Sequence, residues 1–101
     1  MGTRLELQDI LVSILGSANV YFQPPPTMSL KYPCILYRRE RINTEFANNL
    51  PYKHKKRYSV TLIDSNPDSL IIDKLLMLPA CIFDRHYTSN GLNHDVYTLY
   101  F

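Results

Sequence analysis

Within residues 56–63 the chain alternates: Tyr58, Val60 and Leu62 are apolar, and Arg57, Ser59 and Thr61 beside them are polar. A period of two puts the two sets on opposite faces of an extended chain, so this segment predicts a β-strand with one face in a core and one in water. Such a strand needs a neighbour, and residues 34–39 supply it. There Cys34 and Leu36 fall on one face and Ile35 and Tyr37 on the other. With both faces apolar, this strand is expected inside a sheet, not at its edge. The connection between the two contains Asn43, Thr44, Asn48, Asn49 and Pro51, with Phe46 and Leu50 as its apolar members. It is too long for a tight turn and predicts an arm or long loop over residues 40–56.

The remaining segments complete an α+β pattern. Thr3 and Glu6 have the spacing of a capping box, and Leu7, Ile10, Leu11, Ile14 and Leu15 then recur at helical spacing up to Gly16. A helix with one apolar stripe and a left-handed stop follows from that pattern. Residues 20–22 are a short apolar piece, after which Pro24, Pro25 and Pro26 remove three backbone donors and exclude a sheet. Asn66, Pro67 and Asp68 predict the start of a second helix, with Asn66 as its cap, running to about Leu78 before Pro79 and burying Ile71, Leu75 and Leu78. Two last strands, residues 81–87 and 94–101, flank Ser89, Asn90 and Gly91, where Asn-Gly favours a hairpin turn. The aromatic ending at Tyr100 and Phe101 predicts that the last strand is docked.

The expected fold is therefore α+β: a mixed, mainly antiparallel sheet of about four to five strands packed by two helices, with a long protruding β-hairpin arm. At 101 residues, 46% hydrophobic and 20% charged, the chain reads as a single domain, 1–101, too small for a large enclosed pocket. No apolar run approaches the roughly 18 residues of a membrane span, and no signal-like segment opens the chain, so a soluble protein made in the cytosol is expected. Cys34 and Cys81 lack metal or redox spacing and are expected as buried free thiols.

Catalytic signatures are missing from the sequence. It contains no phosphate-binding glycine loop, dinucleotide fingerprint, zinc-protease helix or nucleophile elbow. His86 and His94 are expected opposite one another on the last hairpin near Asp84 and Asp95, an arrangement that more often belongs to a polar surface than to a metal. No enzyme activity, cofactor or metal is expected.

The net charge of +2 is small, but the cations are clustered. Arg38, Arg39 and Arg41 on one strand and Lys53, Lys55, Lys56 and Arg57 leading into the next are brought together by pairing, with Phe46 and Tyr52 close by. Such a ribbon can contact phosphates, or form the rim of a protein interface. Asp64, Asp68 and Asp73 offer an acidic counterpart on a neighbouring copy. A small nucleic-acid-binding module using the basic hairpin is the alternative to a purely structural role.

Taken together, the amphipathic first helix, VYFQPPP at residues 20–26, KYPCILYRR at 31–39, KKRYSVTLID at 55–64, NPDS at 66–69 and the closing LNHDVYTLYF at 92–101 resemble the tail terminator, or tail completion, proteins of long-tailed bacteriophages. The resemblance is one of pattern along most of the chain. It implies a non-enzymatic virion protein that forms a ring, a hexamer in that family, on the head-proximal end of the tail tube, stops tube polymerisation and presents the head-joining surface. Implied partners are further copies of itself, the tail tube protein and a neck or head-completion protein, with non-specific contact to traversing DNA and no membrane. The implied location is the virion tail, after assembly in the host cytoplasm. A neck or head-closure role is the near alternative.

Overall fold

Seven elements follow in the order α1 (Arg4–Leu15), β1 (Val20–Phe22), β2 (Cys34–Ala47), β3 (Leu50–Asp64), α2 (Leu70–Leu76), β4 (Cys81–Ser89) and β5 (Leu92–Tyr100). The computed structural model describes the backbone of residues 3–47 and 50–101, and the side chains of residues 3–40 and 56–101. The strands form one sheet in the order β1-β2-β3-β5-β4, parallel between β1 and β2 and antiparallel elsewhere. The fold is α+β, and β2 is internal, as its two apolar faces require.

Helix α1 begins and ends where its caps dictate. The Thr3 hydroxyl accepts from the Glu6 amide at 3.2 Å, and Gly16, at φ +79°, closes the last turn by donating to the Val12 carbonyl. Helix α2 starts later than the Asn-Pro-Asp signal implies. The Asp64 carboxylate accepts from the Asn66 amide and the Asn66 side chain from the Asp68 amide, each at 3.0 Å, so these residues build local turns. Ser69 takes the cap instead, its hydroxyl accepting from the Ile71 amide. The last hairpin turns at Asn90 (φ +53°) and Gly91 (φ +75°), the positive-φ pair that two-residue hairpins need.

The strands β2 and β3 are longer than the apolar pattern predicts. Pairing continues through Arg41↔Arg57 and Thr44↔His54 to Ala47↔Leu50, with register shifts between Arg39 and Arg41 and between Glu45 and Phe46. Backbone hydrogen bonds propagate a ladder without apolar side chains, and the donor-less Pro51 sits beside the second shift. Residues 48 and 49 lie outside the described residues. Over residues 41–47 and 50–55, the pairing partners of these strands among the described residues are each other.

One face of the sheet holds the core. Ile35, Tyr37, Tyr58, Val60, Leu62, Tyr97 and Leu99 are buried there against Leu7 and Leu11 of α1 and Leu75 of α2, with Phe101 packed on the cluster. The last residues are docked as expected: Tyr100 donates to the Ala80 carbonyl and Phe101 to the Lys56 carbonyl. Tyr37 places a hydroxyl in this core. It donates to the Gln8 side-chain oxygen, and the Gln8 amide donates to the Val20 carbonyl at 3.1 Å, so one polar chain ties α1 to both β1 and β2. Tyr97 differs: its buried hydroxyl meets no hydrogen-bond partner among the described residues. Burial, then the negative charges of Asp95 and other nearby groups, push its ionisation well above the ordinary tyrosine range.

These two tyrosines predict opposite outcomes for the same substitution. Tyr37→Phe strands the Gln8 oxygen and is expected to cost about 1 kcal/mol, whereas Tyr97→Phe removes an unpaired polar group and is expected to be neutral or stabilising by about the same amount. Thermal melts of the two variants check the pair; a larger loss for Tyr97→Phe contradicts it.

Candidate functional site

The cations that cluster in the sequence are divided by the pleat. Arg38 is in register with Ser59 and Arg39 with Tyr58, so the two neighbours point to opposite faces of the sheet. Arg39 lies on the core side, beyond its buried end, close enough to Tyr58 for its charge to oppose the upward shift that burial gives that phenol. Arg57 is partly neutralised. Its Nε lies 3.1 Å from the Glu40 carboxylate, close as charges although not aligned as a hydrogen bond. Lys56 is half-buried at the rim beside Phe101. The side chains of Arg41, Phe46, Tyr52, Lys53 and Lys55 lie outside the described residues.

The three acidic candidates differ in what they do locally. Asp64 is half-buried, and its carboxylate is engaged in the turn before α2. Asp68 and Asp73 are exposed, the second in the first turn of α2, where a negative charge complements the helix dipole.

The histidines do not face one another. A register shift between Phe83 and Arg85 sets His86 opposite Asp95 and Tyr87 opposite His94, leaving the two imidazoles on opposite faces. His86 Nδ1 lies 2.7 Å from the largely buried Asp95 carboxylate. His94 stacks on Tyr87, the ring centroids 4.7 Å apart and 15° from parallel. Among the described residues, no three His, Cys, Asp or Glu side chains are grouped to hold a metal ion, and no helix is long and apolar enough to cross a membrane.

The surface feature that periodicity missed is apolar. Leu70 and Met77, two turns apart on the outer side of α2, are 75% and 84% exposed, and Ile82 at the start of β4 is 60% exposed. Leu76 and Phe83 are also exposed at this corner, where α2 leads into β4; Phe83 is on the helix side of the sheet against Tyr97, and Ile82, in register with Thr98, is on the other. Helical and strand spacing identify which residues are apolar, but not which of them the sheet leaves uncovered. Beside this corner a shallow trough between the helices is walled by Ile10 and Ile14 of α1 and by Met77 and Leu78, with Asp9 and Lys74 at its rim.

Compared with known proteins, the chain matches no protein-family model and no curated protein.

Both cysteines are free thiols; Cys34 is fully buried and Cys81 half-buried. Burial raises both ionisations, that of Cys34 from 9.0 to about 11. A thiol whose pKa is higher folded than unfolded favours the native state fully below the unfolded value, and that contribution is lost as pH rises through the folded one. Stability is therefore expected to fall between about pH 9 and 11, with a shallower fall in Cys34→Ala. A thiol reagent is expected to modify Cys34 only on unfolding; rapid labelling of the native protein at that position would refute the assignment.

Proposed function

We propose that this chain is a structural subunit that works by self-association, and that its role is the one its sequence resemblance implies: closing the head-proximal end of a phage tail tube as a ring of identical copies. The observation that carries the reading is the exposed apolar corner of Leu70, Leu76 and Met77 on and beside α2, with Phe83 on the same side of the sheet. Water-exposed apolar area of this kind is the mark of a surface that another protein covers. A closed ring joins two different patches on each subunit. The apolar corner is one, and the ribbon of β2 and β3, projecting as an arm toward the neighbour, is the other. The cations of the ribbon and the exposed Asp68 and Asp73 add complementary charge between copies. In this reading the ring acts by shape: one face continues the tube, the other lacks the elongation surface and receives the neck or head-completion protein. No bond-making step is assigned to it.

Mass photometry with and without tube protein tests the reading. The wild-type chain is expected to give a discrete ring, hexameric by the family resemblance. Met77→Lys combined with Phe83→Lys places two charges in the apolar contact and is expected to lower ring formation at least roughly tenfold with unchanged circular dichroism. A wild-type chain that stays monomeric and never binds tube ends would eliminate the proposal.

A further inference from the structure

The second face of the sheet carries neither helix, and its side chains read across the strands in rows. Leu36, Thr61, Val96 and Arg85 form one row over β2, β3, β5 and β4; Arg38, Ser59, Thr98 and Ile82 form the next; Cys34, Ile63, His94 and Tyr87 lie on the other side. Within these rows runs an open trough of about 260 Å³, lined by Arg38, Ser59, Thr61, Arg85 and Tyr87 with the apolar Leu36 and Val96 among them. Its wall at the β2 side is Gln23 and Pro24. That wall is fixed: Gln23, at φ +46°, donates its amide to the Tyr37 carbonyl at 3.0 Å, and its side-chain oxygen accepts from the Arg39 amide at 3.4 Å.

The chemistry of the trough is that of an anion site beside a flat stack. Arg38 and Arg85 enter from opposite sides, three strands and two residues apart, or roughly 16 Å between Cα atoms by ordinary sheet spacing. Both arginines line the same depression, with Ser59 and Thr61 between them. The ion pairs among the described residues, Arg57–Glu40 and His86–Asp95, involve neither arginine. At the far end Tyr87, itself 42% exposed, stacks on His94 and lies 5.8 Å below the Arg85 guanidinium.

We propose that this helix-free face binds single-stranded nucleic acid, with Arg38 and Arg85 on separate phosphates of one strand, Ser59 and Thr61 donating to phosphate oxygens, and a base adding to the Tyr87–His94 stack. An isolated phosphate in an open trough competes poorly with water, whereas a flexible strand sums several phosphate contacts through counterion release. A duplex turns its bases inward and has none free to stack on Tyr87 and His94. The site shares Arg38 with the cations that cluster in the sequence but not the rest of the ribbon, and it is independent of ring formation, because every residue in it belongs to one subunit.

Fluorescence anisotropy of a short labelled oligothymidylate, measured from about 50 to 200 mM salt, tests the proposal. Arg38→Gln and Arg85→Gln are each expected to reduce the salt slope by about 1. Tyr87→Leu is expected to lower affinity roughly tenfold with little change in slope, and Tyr87→Phe to restore it. Lys74→Gln, on the opposite side of the sheet, serves as the unaffected control. Duplex DNA and inorganic phosphate are expected to compete weakly. Undetectable binding at low salt, equal competition by a base-free polyanion such as heparin, or indifference to all three trough substitutions in folded protein would overturn it. Loss of rings without loss of strand binding would defeat the assembly role alone.

Discussion

Both helices pack on the same side of the sheet, and the polar chain from Tyr37 through Gln8 to Val20 helps hold α1 there. A sheet whose two helices share one face has a dry side and a side it must manage without them. Tyr37, Tyr58 and Tyr97 fill the dry side with large rings, Phe22 and Phe83 packing on its margins at 5.0 and 5.6 Å between centroids. The opposite side carries Ser59, Thr61, Arg38 and Arg85 because those positions stay in contact with water. The trough is thus a consequence of where the helices sit.

The same packing determines how the molecule meets others. Strand β4 is the outer strand of the sheet, and an unpaired edge invites strand addition. Here the register shift before Arg85 and the charged run Asp84, Arg85 and His86 interrupt the edge. Apolar side chains remain at its beginning, Phe83 on the side of the helices and Ile82 on the other. In the proposed assembly a neighbouring copy docks on this corner by side-chain packing, which fixes geometry without opening the sheet to unlimited addition. That distinction matters for the ring we propose, whose growth has to stop at closure.

Much of the fold is legible in the residues. Capping at Thr3 and Gly16, the alternation of Tyr58, Val60 and Leu62, the two apolar faces of β2 and the Asn90-Gly91 turn each follow from local stereochemistry, and each stands in the structure. Less legible were the limits of elements whose ends depend on competition between partners. Asn66 has every quality of a helix cap, yet it closes a local turn with Asp68, and Ser69 is the cap. Likewise the ladder between β2 and β3 runs on through polar residues, because pairing backbones need no apolar side chains to continue.

The linear order of residues determined which side chains are apolar, where backbone conformation is forced, and that cations gather on both sides of the β2–β3 connection. Only the tertiary structure decided which of those groups share a face. Pleating and a register shift sent Arg38 and Arg39 apart, paired His86 with Asp95 and His94 with Tyr87, and brought Arg85 on β4 to the same trough as Arg38 on β2. Strand order and register depend on contacts between residues far apart in the chain, and a pattern read within one segment carries no information about its neighbour across the sheet.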